Sequence, residues 1–289
     1  SDVLNVNLKS MTADRSTAQT VGTLNITDTI ETLNLDATGM KTGVATLAIQ
    51  KTLTTLTADD SLTTLNLTGS DRLTIDTITA GKLATINASA TTGDVSIPGN
   101  SGTNIAQNIT LGSGNDTLVM GTKLSAADVI DMGANKVASA TGALGLDTLT
   151  ASGNQGSTIG SASLQLSNIE AVQLTNTGAA ATYIDGSKIT NVGEIALSAA
   201  SGTVSFSNMP AGTGLGAGIV ADEFDGAVTW ALADATGTAD ALSLNYADGL
   251  NTGSSLTLVT AGIETLNISA EKAGSNTSTM VNTNMTAST

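Results

Sequence analysis

Apolar positions along this chain recur in pairs, one residue apart, inside short Thr-rich pieces. Leu33 and Leu35 flank Asn34, Leu65 and Leu67 flank Asn66, and Leu266 and Ile268 flank Asn267. A period of two predicts β-strands with one buried face, whereas a helix would space apolar residues by three and four. The pieces themselves repeat. Thr-Leu-Ala-Ile-Gln starts at Thr46, Thr-Leu-Thr-Ala-Asp at Thr55 and Thr-Leu-Asn-Leu-Thr at Thr64, and the same step of nine separates Thr23-Leu-Asn-Ile-Thr from Thr32-Leu-Asn-Leu-Asp. Related pieces occupy residues 4–8, 85–89, 243–247 and 265–269. The links carry Gly, Asp, Asn and Ser, which form turns. Nine residues hold one short strand and a turn. Two such units are expected to close one flattened coil, and stacked coils to bury a shared Leu/Ile strip. The expected fold class is therefore all-β: a parallel β-solenoid, β-helix-like, with irregular loops.

Asn25, Asn34, Asn66 and Asn267 each sit between the two apolar residues and so point to the other strand face. Asn66-Leu67-Thr68 also reads as a glycosylation sequon. A stacked polar ladder on the outer face explains the same residues without a modification.

Composition agrees with a thin core. Hydrophobic residues make up 40% of the 289, but aromatics only 2%, with one Trp, two Tyr and two Phe. A compact core of this size normally uses more rings, while a narrow seam of Leu, Ile, Val and Ala needs none. The net charge of −15 argues against nucleic acid, whose phosphates need Lys and Arg. It permits a hard cation held by several oxygens, or serves only to keep an exported protein soluble. With no Cys and no His, disulfides and thiolate or imidazole metal sites are excluded, so any metal must be held by oxygen. No apolar run of about 18 residues is present, so no transmembrane segment is expected. No signal peptide is visible, and Ser1 begins in mid-pattern, so the sequence reads as a fragment.

The expected organisation is a solenoid segment over 1–110, a calcium-binding segment over 111–160, a second β-rich segment over 161–270 and a polar tail or linker over 271–289. Within 124–136 (LSAADVIDMGANK), Ser125 is expected to cap one helical turn. Residues 212–218 (GTGLGAG) are expected to form a flexible loop. They lack the strand and helix context of a phosphate site. Residues 222–225 (DEFD) are expected to be an acidic surface loop beside Trp230 as a core ring.

The chemistry-bearing motif is Leu111-Gly-Ser-Gly-Asn-Asp-Thr-Leu-Val119. The calcium-binding nonapeptide reads Gly-Gly-x-Gly-x-Asp-x-apolar-x. Gly112, Gly114, Asp116 and Leu118 fall on it, with Leu111 in place of the first Gly. A second copy, 142–150, keeps Gly145, Asp147 and Leu149 in register and has Ala143 in place of a Gly. Glycines free carbonyls to point at an ion, the Asp supplies charge, and the apolar residue anchors the turn. Asp128 and Asp131 lie between the copies. Gly69-Ser-Asp71 and Thr238-Ala-Asp240 are weaker echoes and read as turns.

Three pieces carry a family likeness: Thr-Leu-Asn-Leu-Thr-Gly-Ser at 64–70; 83–97 (LATINASATTGDVSI) leading into Gly112–Leu118; and Leu124–Asp131 running on to Gly145–Leu149. Together they resemble the surface-layer (S-layer) proteins of Gram-negative proteobacteria, of the Caulobacter and Campylobacter type. The resemblance implies β-solenoid segments, type I secretion, calcium-dependent lattice assembly on the cell surface, and an anchor to surface polysaccharide or lipopolysaccharide in a region outside this chain. It carries calcium roles to Gly112, Gly114, Asn115, Asp116, Asp128, Asp131, Gly145 and Asp147. A repeat adhesin from the same secretion route is the alternative. Its repeats would be longer and more alike. A solenoid enzyme would need placed carboxylates and bases, and with neither His nor Cys the common nucleophile–base pairs are missing. No catalysis is expected.

Overall fold

The computed structural model describes residues 2–8, 19–27, 29–38, 50–101, 105–134, 147–152, 165–169, 171–175, 182–190, 193–198, 201–217, 225–248, 256–272 and 285–288. The chain is an all-β parallel solenoid whose residues group into two compact units, Ser1–Lys123 with Ala127–Leu149, and Leu124–Ala126 with Thr150–Thr289. Among the described residues no helix is long and apolar enough to cross a membrane.

In the first unit the chain alternates between two sheets. Sheet A stacks β1 (Val3–Asn7), β3 (Thr32–Asp36), β5 (Thr64–Gly69), β7 (Thr85–Thr91), β9 (Asn108–Thr110) and β11 (Val129–Asp131). Sheet B stacks β2 (Gln19–Ile26), β4 (Gln50–Ala58), β6 (Arg72–Ala80), β8 (Val95–Pro98) and β10 (Thr117–Gly121), with β12 (Thr148–Ser152) beside β10. The described pairings are parallel and, apart from a shift after Asn66 between β5 and β7, in register, so like residues form files running from coil to coil. Leu4, Leu33, Leu65, Ile86, Ile109 and Ile130 make one file in sheet A. All but Leu4 are buried. Leu24, Leu56 and Ile78 make another in sheet B. Each such aliphatic side chain, taken fully from water, stabilises the fold by about 1.5–3 kcal/mol.

The coil is longer than two nine-residue units. Thr64 stacks on Thr85 and Asn108 on Val129, twenty-one positions later, and Thr32 stacks on Thr64 at thirty-two. The nine-residue step does something else: it carries the chain from sheet B to sheet A, from Leu24 to Leu33 and from Leu56 to Leu65. The return from A to B is the more variable limb, long between β3 and β4 and short between β5 and β6.

The polar ladder forms where the register brings Asn onto Asn. Asn34 Nδ2 donates to Asn5 Oδ1 (2.7 Å), and Asn66 Nδ2 donates to Asn34 Oδ1 (2.8 Å). The sequon nitrogen of Asn66 is thus engaged. Asn25 stacks on Thr57 and Asn267 on Ser243, so those two lie outside any Asn ladder.

The second unit pairs β13 (Gln165–Ser167) with β16 (Ile189–Thr190). It also stacks β14 (Ala171–Thr175), β17 (Glu194–Ser198), β19 (Gly214–Ala217), β21 (Ala241–Asp248) and β23 (Thr265–Lys272). Its sheet C runs β15 (Thr182–Asp185), β18 (Ser201–Met209), β20 (Asp225–Leu232), β22 (Leu256–Ala261) and β24 (Met285–Ser288). Phe206 and Trp230 are buried as a tilted ring pair with centroids 4.9 Å apart. Trp230 is the expected core ring; residues 222–224 lie outside the described residues, and Asp225 opens β20.

Three local expectations are corrected. No helix follows Ser125, since 122–123 and 126–127 are turns between β10 and β11. The glycine-rich 212–218 is not a loop throughout, since 214–217 add a strand between β17 and β21 and the ladder supplies the order that the sequence lacks. The tail over 271–289 contains strand too, at Glu271 and Lys272, which end β23, and at Met285–Ser288.

Candidate functional site: the glycine–aspartate corner

The nonapeptide at 111–119 forms the corner that takes the chain from β9 to β10. Consecutive corners stack backbone on backbone. Ser113 N donates to Thr91 O (3.1 Å), and Ala134 N donates to Gly112 O (2.8 Å). A Cβ on Gly112 would lie 2.3 Å from the Thr91 carbonyl oxygen, and one on Gly114 would lie 2.6 Å from that of Gly93. Both contacts are impossible for any other residue without moving the backbone. The glycines are therefore required by close approach of neighbouring coils. The Gly112 carbonyl, a predicted ligand, already accepts a main-chain hydrogen bond.

The three aspartates at strand starts share one arrangement. Asp116, Asp128 and Asp147 are each fully buried. Asp116 Oδ1 accepts Val95 N (2.7 Å), Asp128 Oδ1 accepts Gln107 N (2.8 Å), and Asp147 Oδ1 accepts Asp116 N (2.6 Å). In each case the carboxylate holds the amide of the residue stacked on it in the preceding coil. One coil earlier the same amide position, Leu73, donates instead to the main-chain carbonyl of Asp94 (2.9 Å). The side chain thus takes over a ladder bond where the turning backbone no longer offers a carbonyl, and a buried N–H left unpaired would be costly. Glu264 repeats the arrangement in the second unit, its Oε2 accepting Asp240 N (2.8 Å).

Asp116 also accepts Gly112 N at Oδ2 (3.2 Å). Burial pushes its carboxyl up from the usual 3.8 to about 6; the amides of Val95 and Gly112 oppose this, and the charge of Asp94 adds to it. Asp94 in turn accepts Asn115 N at Oδ1 (3.1 Å) and pairs at Oδ2 with Arg72 Nε (3.2 Å). Asn115 Oδ1 is buried and accepts no hydrogen bond.

The predicted ligands therefore divide. Gly112, Gly114, Asn115, Asp116 and Asp147 belong to the corner from sheet A to sheet B. Asp131 ends β11 on that side, with Oδ1 accepting Gly133 N (3.1 Å). Asp128 precedes β11 and belongs to the opposite corner, about 10 Å from Asp131 at the rise of a strand. Gly145 lies outside the described residues. Among the described residues no three acidic side chains converge as a metal site. Of the oxygens at this corner, Asn115 Oδ1 has no donor, whereas Asp116 engages Val95 N and Gly112 N, and Asp94 engages Asn115 N and Arg72. The Gly112 carbonyl and Asp128 Oδ1 are likewise engaged by amides.

Sequence reasoning passed over two groups. Asp71, read as a turn residue, pairs with buried Lys51 (Nζ–Oδ2 3.2 Å), and Lys51 Nζ also donates to Leu8 O. The signal was available: Lys51 lies two residues before Leu53, in the buried phase of its strand. Asp94 carries no motif that singles it out.

No protein-family model, curated protein or solved structure matches the chain.

Proposed function

We propose that this chain is a structural, non-catalytic segment of a bacterial surface layer, exported and assembled into a calcium-dependent two-dimensional lattice. The reading is supported chiefly by one observation. Stacked parallel coils bury an aliphatic seam and present repeating Thr and Asn files outward, as in the Asn5–Asn34–Asn66 ladder. A one-dimensional stack of this kind offers long flat faces that suit repetition in an array. The acidic balance leaves calcium as the natural counter-ion. Within the first unit Asn115, Asp116 and Asp94 are the residues that would hold it, neutralising two neighbouring carboxylates and engaging the unpaired amide oxygen. Anchoring to surface polysaccharide or lipopolysaccharide belongs, in this reading, to residues outside the chain.

Calcium titration with thermal melting and particle sizing tests the proposal. Calcium should raise the melting temperature and drive growth into large particles, and EGTA should reverse both. Ordered sheets under the electron microscope would separate a lattice from an adhesin. A chain indifferent to calcium in both melting and size would overturn calcium-linked assembly for this segment.

A further inference from the structure

The outward positions of sheet A form a regular array. Thr32, Thr64, Thr85 and Asn108 stack as one file, and Asn5, Asn34, Asn66, Asn87 and Thr110 as the file beside it. Across β3, β5, β7 and β9 every member of both files is Thr or Asn. Leu33, Leu65, Ile86 and Ile109 lie between the files in sequence and are buried on the inner face. Asn87 and Asn108 are exposed and the others on these strands are half-buried, so all keep contact with water. Charge stands outside: Asp36 lies one file further along β3, and Asp131 ends the second file in β11. The other faces differ. In sheet B the files Thr23, Thr55, Thr77 and Asn25, Thr57, Thr79 pass through three strands, with Asp76 next to Thr77. In sheet C the files mix their chemistry, Thr203 with Ala227 and Thr257, and Ser205 with Thr229 and Val259.

We propose that this Thr/Asn array binds the surface of an ice crystal. The inference is independent of the lattice reading above. Neighbouring members of a file stand ~4.8 Å apart, and the two files ~6.6 Å apart, two residues along a strand. Both repeats lie within roughly a tenth of the perpendicular oxygen spacings on a prism face of ice. Each Thr offers a hydroxyl and a methyl on a side chain that is stiff at its first torsion. The Asn side chains are held by their ladder, Asn34 donating to Asn5 and Asn66 to Asn34. Such side-chain ladders also hold a many-stranded sheet flat. A lone hydroxyl gains almost nothing by holding one water in place of another. A rigid array holds a layer of waters already near the crystal spacing, and its weak contacts then act together. Charge matches too: ice is neutral, and this array is neutral in a chain that carries −15. Strand preference accounts for threonine on any wet face. It does not account for two files of Thr and Asn in sheet A where sheet C admits Ala and Val.

The test grows a single ice crystal slowly from a cold dilute solution of the full chain. An ordinary soluble protein is left in the liquid, whereas this chain should be carried into the ice and should stop small crystals from coarsening. Thr64→Tyr and Thr85→Tyr each break the spacing at the centre of the array. Each should lower the fraction incorporated about tenfold, because the contacts act only as a set. Thr229→Tyr, at an exposed position of sheet C, should match the parent, with circular dichroism showing all three variants folded. A parent left in the liquid, or equal incorporation of the sheet A and sheet C variants, overturns the proposal. Particle sizing of the same samples tells this failure apart from that of the lattice reading, which concerns assembly alone.

Discussion

In the first unit the middles of the strands and their corners solve different problems. The mid-strand file Leu33, Leu65, Ile86, Ile109, Ile130 repeats one kind of residue through five coils. The file at the start of the sheet B strands does not. It runs Lys51, Leu73, Val95, and in the same register continues to Asp116 and Asp147. Burial is non-directional, so any aliphatic of similar volume serves mid-strand, where the ladder already pairs every amide. At a corner the backbone turns away, amides lose their ladder partners, and a specific side chain must replace them. The seam is thus a tolerant source of stability, whereas among the described residues the buried carboxylates Asp116, Asp128 and Asp147 stand just before their strands, where the ladder ends. If this contrast is right, changes at the corner file should be large or pH-dependent, and changes to the outward ladder small and insensitive to pH.

The largest effect is expected at Lys51. It is buried in the corner file and pairs with Asp71, which is itself 11% exposed. Lys51→Leu alone strands a nearly buried carboxylate and the Leu8 carbonyl, and should cost about 3–5 kcal/mol in urea unfolding. Adding Asp71→Asn removes the stranded charge. Leucine matches Leu73 in the next coil, so the double variant should recover most of the loss. A double variant no more stable than the single would mean that the charge at this corner is not what matters.

Next in size is a pH effect at Asp116. Its carboxyl titrates at about 6 in the folded chain against 3.8 unfolded, so the folded state binds the proton more tightly. This contribution is fully present below pH about 4 and is lost as pH rises through 6. The rise from 3.8 to about 6 corresponds to roughly 3 kcal/mol less stability at pH 7 than in acid from this group alone. Asp116→Asn keeps an oxygen for the Val95 amide and abolishes the titration. The variant should therefore gain on the parent steadily between pH 4 and 7, read from melts at each pH. Bound calcium would favour the ionised form, so saturating calcium should shrink the gap. Parallel pH profiles for parent and variant would remove Asp116 as the source.

The legible part of this molecule was the part governed by a simple period. Alternation at Leu33/Leu35 and Leu65/Leu67 placed β3 and β5, and the same alternation put Asn34 and Asn66 on the outer face. Coil length was not legible, because the nine-residue step joins two sheets and the return limb has no period. Nor did the sequence reveal that 214–217 form a strand: glycine has little strand preference, and only the flanking β17 and β21 impose one. The 111–119 motif falls at a corner between β9 and β10, but its partners were not visible. Which amide a carboxylate meets depends on the stacking register, which is why Asp128 and Asp131, three residues apart, face opposite corners. Lys51 could have been found from its phase with Leu53, and Asp94 could not.

The smallest effect tests the other side of the contrast. Asn34 sits mid-ladder, donating to Asn5 and accepting from Asn66, whereas Asn66 has only the bond to Asn34 within the ladder. Both positions are partly open to water, which competes for the lost partners. Each broken bond should therefore cost about 0.5–1.5 kcal/mol at most. Asn34→Ala should be the more destabilising, by up to about a factor of two, since it breaks two bonds against one. Neither change should alter the pH profile or the calcium response, because no titrating group depends on the ladder. Equal losses from the two variants would show that the ladder adds nothing beyond strand pairing. A loss comparable to Lys51→Leu would show that the outward face, and not the corner, is where this solenoid is specified.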